Sequence, residues 1–326
     1  MWYSLENRAA RATVHRSGGM VLAEFTLGDR RVRPLFLPAW ASENAADGLL
    51  NNLRGDFPCV PFGGAPAQAA LPEGWHPDKA AADPDEFAHG YGAHHLWNLA
   101  ETGVGFIRIA VDYPRSHPIE GLERIVSLSP DHPKVLFEDR IHVRKTCRLP
   151  VGLHPIFRLP KENGAARLRL PNCRIMRTYP DDVDASAAFV PDASVPDAQA
   201  VPLRRGGTAD ATSLPMEIST EELLMLCEVE TGRVALENRA EAYRAVLEWD
   251  ASLLKGCLLW FSNRGRGFEP WNGRNVCLGV EPIASAFDLG TAVSLGGTPL
   301  GAFTGLSMKA GDTVVLKHSI SVEEFP

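Results

Sequence analysis

The sequence predicts an all-β protein, an antiparallel sandwich or barrel, and the main evidence is hydrophobic alternation with a period of two. In the stretch KVLFEDRIHVRKT, the apolar side chains of Val135, Phe137 and Ile141 share one face of an extended chain. Glu138 and Arg140 share the opposite face. This pattern is typical of a strand with one buried face and one polar face.

Short runs of the same kind recur along the chain, separated by clusters of Gly, Pro, Asn and Asp. They include GMVLAEFTL, VGFIRIAVDY, LERIVSLS, ARLRLP, LLMLCEVE, RVALEN, RAVLEWD, GCLLWFS, NVCLGVE and TVVLKHSISV. Patterns with the helical period are few. Many strands with few helices favour an antiparallel architecture over an α/β one.

Two long stretches without strand patterns interrupt these runs, near residues 63–88 and 180–218. Loops of that length inside a compact domain are usually functional or mobile. Strand patterns resume with unchanged character after each one. We therefore expect a single domain over residues 1–326 with two long excursions.

Charge and composition exclude several classes of function. The formal net charge is −7 and no dense Lys/Arg run is present, so we expect no nucleic-acid partner. No stretch approaches the roughly 20 apolar residues of a membrane span, and the first residues lack the apolar centre of a signal peptide. The six cysteines are scattered without a CxxC pair. We expect them reduced, in a cytoplasmic protein that does not associate with membranes.

The stretch AHGYGAHHLWNL, residues 88–99, concentrates histidine, glycine and aromatic residues. A metal site is disfavoured, because His89 is five and six residues from His94 and His95, which is not the i, i+4 spacing of paired ligands on a helix. Tyr91 and Trp97 offer flat apolar faces with a polar group, a shape that suits sugar rings. The stretch is compatible with two interpretations: ordinary packing beside a core, and one wall of a binding cleft.

Two residues near strand ends are candidates for acid–base chemistry. In LPVGLHPIFRLP, His154 precedes a proline that cannot donate to a β-ladder, and it shares a face with Arg158. In NVCLGVEPIAS, Glu281 lies on the same face as Gly279, opposite the apolar positions. Glu269, in a glycine-rich loop, is a rival carboxylate.

An imidazole facing a carboxylate is sufficient for opening and closing a cyclic hemiacetal. One group removes the proton of the anomeric hydroxyl while the other protonates the ring oxygen, and the roles reverse on closure. This chemistry needs no cofactor and no metal, and the chain has no GxGxxG, GxxxxGK[ST] or GxSxG motif in a suitable setting.

Four motifs in order, HGYGAHHLW, VGLHPIF, LGVEP and MKAGDTVVLKHSISV, resemble the landmarks of the aldose 1-epimerase (galactose mutarotase-like) superfamily. The similarity runs from about residue 54 to the C-terminus. It implies a large antiparallel β-supersandwich with a sugar cleft across one sheet, and a monosaccharide or sugar derivative as the partner. We expect a monomer or a homodimer.

The resemblance also implies roles for particular residues. Glu281 would be the general base, His154 the general acid, and His89 would bind the substrate near its ring oxygen. LRGDFPCVPFG resembles the segment whose arginine contacts sugar hydroxyls or, in hexose-6-phosphate relatives, phosphate; here that is Arg54. Asp250 is a candidate for the substrate-binding aspartate.

The chain departs from the hexose-phosphate members at two places. Ala93 and His94 stand where those members carry an arginine, and Asp56 stands where they usually have glycine. These departures favour a free aldose over a hexose 6-phosphate.

Two other functions are open on the sequence alone. A non-catalytic sugar-binding or regulatory module would use Trp97, Trp260 and Trp271 for stacking, with Arg54 and His89 as hydrogen-bond donors. Another carbohydrate-active enzyme, a lyase or a hydrolase, would need different groups. A hydrolase would need two converging carboxylates, of which the sequence nominates one.

Overall fold

The computed structural model describes residues 2–41, 48–64, 71–81, 84 and 87–325, and these are dominated by antiparallel β-strands. The first twelve strands are β1 (Trp2–Glu6), β2 (Ala10–His15), β3 (Val21–Leu27), β4 (Arg30–Val32), β5 (Pro58–Cys59), β6 (Asn98–Gly103), β7 (Phe106–Asp112), β8 (Ile119–Leu128), β9 (Lys134–Val143), β10 (Cys147–Leu149), β11 (Val151–Leu153) and β12 (Ile156–Arg158). The others are β13 (Ala166–Arg169), β14 (Cys173–Thr178), β15 (Val201–Pro202), β16 (Thr208–Ala209), β17 (Ser213–Leu214), β18 (Thr220–Val229), β19 (Arg233–Asn238), β20 (Tyr243–Trp249), β21 (Gly256–Asn263), β22 (Val276–Ala284), β23 (Leu306–Met308) and β24 (Thr313–Glu324).

Two large sheets form the body of the fold. A nine-stranded sheet has the order β17-β13-β19-β20-β24-β9-β8-β7-β6, and a seven-stranded sheet has the order β14-β18-β21-β22-β11-β5, with β12 also paired to β22. The N-terminal strands form a separate sheet in the order β1-β2-β3-β4. The prediction of an all-β antiparallel sandwich is confirmed.

The helices are short: α1 (Leu49–Asn52), α2 (Tyr91–His94) and α3 (Gly290–Leu295). Within the described ranges, no helix is long and apolar enough to span a bilayer.

The two faces of the seven-stranded sheet pack against different cores. Leu224 and Leu259 join the larger core, which also takes Phe137 and Ile320 from the nine-stranded sheet. The residues that alternate with them, such as Leu223, belong to a smaller core on the other face, together with side chains from the loops. Because this sheet is covered on both faces, its strands read as nearly continuous apolar runs.

The excursion at residues 180–218 is structured, which the sequence patterns did not reveal. It contains the short strands β15, β16 and β17, and Phe189 and Val201 are buried in the larger core. Part of the excursion at 63–88 lies outside the described residues. Within its described part, His76 forms an isolated β-bridge with Gly297.

A cluster of charged side chains lies inside the larger core. Arg124 forms ion pairs with Asp56 and with Asp139, whose Oδ1 is 3.4 Å from the arginine Nε. His318 stacks on Phe137 with ring centroids 4.4 Å apart, and its Nε2 is 3.1 Å from Asp56 Oδ2. His318 shares a face of TVVLKHSISV with Leu316 and Ile320, which predicts a core histidine, and the structure adds its charged partners. Burial raises the pKa of Asp56, but Arg124 and His318 outweigh that effect and hold it at about 2.

Candidate active site

A pocket of about 340 Å³ lies on the face of the seven-stranded sheet that is turned away from the nine-stranded sheet. Histidine and acidic side chains share it with apolar and aromatic ones. The described residues that line it are Leu49, Leu50, Leu53, Ala88, His89, His94, His154, Val183, Leu223, Leu258, Trp260, Arg266, Trp271, Glu281 and Asp288. A concave, largely apolar pocket with a few convergent polar groups is the usual form of a small-molecule site.

Strand register brings His154 and Glu281 together. β11 and β12 both pair with β22, and the register is the same on the two sides of the break at residues 154 and 155. His154 therefore stands opposite Glu281 as a cross-strand neighbour on one face of the sheet. The His154 Nε2 atom is 3.5 Å from Glu281 Oε1, and both side chains are almost fully buried.

The strand β22 directs Glu281 into the pocket. Leu278 and Val280 belong to the larger core, whereas Cys277 and Glu281 lie on the pocket face, as the alternation predicts. Gly279 leaves the space that the carboxyl group occupies, because a Cβ atom there would lie 2.4 Å from Glu281 Oε1. The rival Glu269 is exposed and outside the pocket.

His154 is held by stacking and by its own backbone. Its ring stacks on Phe57 with centroids 4.6 Å apart and an interplanar angle of 15°. Its backbone N–H donates to the carbonyl oxygen of Phe57 at 2.8 Å. The carbonyl of Pro155 accepts from Val280, so the ladder with β22 continues past the proline. The imidazole is thereby fixed in orientation before any ligand arrives.

His89 enters the pocket from a tight turn. Its backbone has φ 62, in the left-handed region, and Gly90 follows with φ 83. A side chain at Gly90 would collide with the carbonyl oxygen of Val60, so glycine is required there. The His89 ring lies edge-on to His154, with centroids 5.0 Å apart. The buried Nδ1 of His89 has no hydrogen-bond partner among the described residues.

Burial shifts the pKa values of the pocket groups in opposite directions. Burial, and then the negative charge of Asp288, raise the pKa of Glu281 well above its ordinary range. Burial, and then His89, lower the pKa of His154 well below its ordinary range. Burial also lowers the pKa of His89, to about 4. Shifts of this kind in a cleft are typical of acid–base sites.

Asp288 is a second carboxyl group in the pocket. Burial raises its pKa, and a hydrogen bond from the Tyr179 hydroxyl opposes that shift. Its Oδ1 atom is buried without a hydrogen-bond partner in the described structure. The carbonyl oxygen of Asp288 accepts from the Gly64 N–H at 2.9 Å, which ties the segment after β22 to the loop that follows β5.

Two tryptophans and an ion pair form another part of the lining. Trp260 and Trp271 meet edge to face with centroids 5.9 Å apart. The Arg266 guanidinium lies 4.8 Å from the Trp271 ring centroid, and its Nε is 3.2 Å from Glu221 Oε1. The same carboxylate oxygen accepts from Trp260 Nε1 at 2.6 Å. Glu221 therefore fixes both the indole and the guanidinium.

Solved structures with the same architecture come from several organisms. A candidate aldose 1-epimerase from Escherichia coli K12 superposes with a TM-score of 0.69 at 14% identity, over 100% of this chain and 99% of that one. The GalM/aldose epimerase homologue from C. elegans gives a TM-score of 0.63 at 12% identity, over 100% and 99% of the two chains. A galactose mutarotase-related enzyme from Lactobacillus acidophilus gives 0.60 at 12%, over 99% and 98%.

This chain has the galactose mutarotase-like fold. No protein-family profile and no curated protein sequence matches it. At identities of 12 to 14%, the superpositions establish the fold alone.

Within this mutarotase-like fold, the sequence-predicted residues separate into two groups. His89, His154, Glu281, Trp260 and Trp271 all line the pocket. The other predicted binding residues lie outside the lining of this pocket: Trp97, Tyr91, Arg158, Asp250 and Arg54.

Trp97 and Tyr91, predicted to shape the cleft, pack beside it instead. Trp97 is fully buried in the larger core, and its Nε1 donates to the carbonyl oxygen of Gly92 at 2.8 Å. Tyr91 stacks on His95 with ring centroids 3.5 Å apart. The turn at residues 88–90 directs His89 into the pocket, and α2, which follows it, carries Tyr91 to the outside of the pocket.

Arg158, Asp250 and Arg54 are also outside the pocket lining. Arg158 is engaged by Glu241, with an Nη2–Oε2 distance of 2.7 Å. Asp250 is exposed in a turn, where it accepts from the backbone and hydroxyl of Ser252. Arg54 is buried and lines a different pocket. Sequence reasoning placed these three by motif or by strand face. Arg158 is held by a residue distant in the sequence, whereas Asp250 is held within its own turn.

Asp288, Arg266 and His94 are the polar lining residues that sequence reasoning did not assign to the site. A carboxyl group in the otherwise apolar run PIASAFDLG is a signal that could have identified Asp288. Arg266 has no such signal in its glycine-rich loop. Among the described residues, no group of three or more His, Cys, Asp or Glu side chains could hold a metal ion.

Proposed function

We propose that this protein is an aldose 1-epimerase that interconverts the α and β anomers of a free aldose. The observation that carries the proposal is the His154–Glu281 pair, with 3.5 Å between Nε2 and Oε1, at the wall of a pocket of about 340 Å³. Acid–base chemistry on a cyclic hemiacetal needs these two groups and no cofactor.

The proposed reaction opens and closes the sugar ring. Glu281, as a carboxylate, removes the proton from the anomeric hydroxyl while His154, as an imidazolium, protonates the ring oxygen. The bond between C1 and the ring oxygen breaks, and an open-chain aldehyde forms. Rotation about the C1–C2 bond exposes the other face of the aldehyde, and the reverse proton transfers close the ring as the other anomer.

The pKa directions bear on the protonation state of the pair. A raised pKa of Glu281 and a lowered pKa of His154 favour the form in which the shared proton is on Glu281. In the ionised form that starts the proposed reaction, the same shifts make the carboxylate a stronger base and the imidazolium a stronger acid. One proton is shared by the pair in every step, so the site returns to its starting state after each turnover. His89, whose ring is 5.0 Å from that of His154, is within range of the same substrate atoms.

The lining favours a free sugar. Trp260 and Trp271 present apolar ring faces of the kind that pack against a pyranose. Arg266, the arginine among the described lining residues, is already paired with Glu221. A phosphate group would therefore meet two acidic neighbours, Glu281 and Asp288, without a dedicated counter-charge.

The test is polarimetry or NMR of freshly dissolved α-anomers of glucose, galactose and less common aldoses. The wild type is expected to accelerate equilibration of at least one aldose, and Glu281→Gln is expected to lose at least about 10²-fold of that acceleration. The matched control is Glu222→Gln. Glu222 is also a buried glutamate, but it lies on the face of β18 opposite to Leu223, which lines the pocket.

Either of two results would overturn the proposal. Unchanged turnover in a folded Glu281→Gln variant would remove the assigned base. Saturable sugar binding without acceleration of any aldose would indicate a non-catalytic binding module.

A further inference from the structure

Asp288 is a carboxyl group in the pocket lining to which the proposed reaction gives no role. The proton transfers use Glu281 and His154, and the guanidinium of Arg266 is held by Glu221. Asp288 lies beyond the end of β22, the strand that carries Glu281, and the chain returns its side chain to the same pocket.

A residue in the left-handed region turns the chain just before Asp288. Phe287 has φ 51, a conformation that bulky side chains rarely adopt. Its ring is fully buried and meets the Tyr179 ring edge to face, with centroids 5.3 Å apart. Its carbonyl oxygen accepts from the Ser285 hydroxyl at 2.7 Å. Packing and hydrogen bonding thus hold a strained turn, and strained residues of this kind cluster at functional sites.

The carboxyl group of Asp288 has unused hydrogen-bonding capacity. The Tyr179 hydroxyl donates to it, and burial, followed by the charge of Asp288, raises the pKa of that hydroxyl, so it stays a donor. The buried Oδ1 of Asp288 has no hydrogen-bond partner among the described residues. A carboxylate accepts at about four positions, and leaving a buried acceptor unsatisfied is costly. Asp288 is partly exposed at the pocket wall, where a ligand would meet it.

The charges in the pocket favour a neutral hydroxyl as the ligand group at Asp288. An anionic group would be repelled by both Asp288 and Glu281, and Arg266 is already paired. A hydroxyl donates to a carboxylate and accepts from a carboxylic acid, so it bonds to Asp288 in either protonation state. The pocket volume of about 340 Å³ is at the small end of ligand sites, which suits one sugar ring.

We propose that Asp288 is a specificity-determining residue that binds one hydroxyl group of the aldose other than the anomeric one. This inference rests on the proposed function, which assigns the anomeric hydroxyl to Glu281. Two carboxyl groups of one pocket then hold two hydroxyl groups of one ring. Asp288 thereby orients the sugar so that its anomeric end faces His154 and Glu281.

The experiment is calorimetric titration of the full chain with glucose, galactose and the 2-, 3-, 4- and 6-deoxy derivatives of each. In the wild type, we expect one deoxy derivative of a bound aldose to bind at least about tenfold more weakly than its parent. In Asp288→Ala, the parent and that derivative are expected to bind equally, because the partner of the missing hydroxyl is gone. The control is Asp250→Ala, an exposed aspartate outside the pocket, which should keep the tenfold difference.

Three results would overturn the inference: neither aldose binds saturably, no deoxy derivative binds more weakly than its parent, or Asp288→Ala keeps the full difference. If Asp288→Ala does not fold, Asp288→Asn carries the comparison. Its difference should shrink, because a hydrogen bond to a neutral group is weaker than one to a charged group, and an unchanged difference would overturn the inference.

Turnover of the same sugars separates this inference from the proposed function. Discrimination that depends on Asp288, without acceleration of anomer exchange, would remove the epimerase and keep the binding role of Asp288. Acceleration by the wild type, with discrimination that Asp288→Ala leaves intact, would remove the role of Asp288 and keep the epimerase.

Discussion

His154 and Glu281 are cross-strand neighbours in one unbroken register, and their reactive atoms lie 3.5 Å apart. Pro155 lacks the N–H of a strand residue, but its carbonyl oxygen still accepts from Val280, and the alignment to β22 is not shifted. The proposed acid–base pair is thus held by the sheet: Glu281 lies in β22, and His154 lies between β11 and β12, which both pair with β22. This arrangement leads to four predictions.

The first prediction concerns the pH dependence of epimerisation. The proposed reaction requires one proton on the pair, so a plot of rate against pH should be bell-shaped. Its two limbs should give the two apparent pKa values of the pair. The acid limb, where the pair gains a second proton, should lie below the ordinary histidine value of 6.5, because burial lowers the pKa of His154. The alkaline limb should lie well above the ordinary glutamate value of 4.5. The measurement is kcat/KM against pH after subtraction of the uncatalysed rate, and an acid limb above pH 6.5 would contradict it.

The second prediction concerns Asp288. Its charge contributes to the raised pKa of Glu281, so Asp288→Asn should lower that pKa and move the alkaline limb towards lower pH. Asp250→Asn is the matched control, because Asp250 is exposed and outside the pocket. A pH profile that Asp288→Asn leaves unchanged would show that the two carboxyl groups do not interact.

The third prediction concerns the space above Gly279. A Cβ atom there would lie 2.4 Å from Glu281 Oε1 and 3.0 Å from Trp260 Cβ, so Gly279→Ala should displace the carboxyl group. A displacement of about 1 Å can cost about 10²-fold in rate, and we expect a loss of that order in kcat/KM. Gly297→Ala is the control, since its nearest contact would be an ordinary 3.6 Å. Full activity in folded Gly279→Ala would refute the prediction.

The fourth prediction concerns the buried charges between the sheets. Arg124→Gln leaves Asp56 in the core without its arginine, and losing one partner of a buried ion pair costs about 3–5 kcal/mol. We expect a loss of that size in the free energy of unfolding, measured by urea denaturation. Arg233→Gln removes a half-exposed arginine and should change it by less than about 0.5 kcal/mol. Equal effects of the two substitutions would argue against a special role for the cluster.

Several features of the site could be read from short segments. Alternation predicted that Glu281 and Gly279 share the face opposite Leu278 and Val280, and the structure confirms that arrangement. Similarity in the order of motifs predicted the mutarotase-like fold, which the superpositions confirm. Trp97 shows the limit of this reasoning, because its aromatic character suits a core and a sugar cleft equally well.

The sequence by itself determined the all-β architecture and the buried face of those strands that alternate, because side-chain alternation is a local property of an extended chain. Tertiary structure decided which strands lie side by side. It therefore decided that His154 meets Glu281, that Asp288 joins them, and that Arg54 faces a separate pocket. The physical reason is that register and loop direction depend on packing between residues far apart in the chain, and no local pattern records that packing.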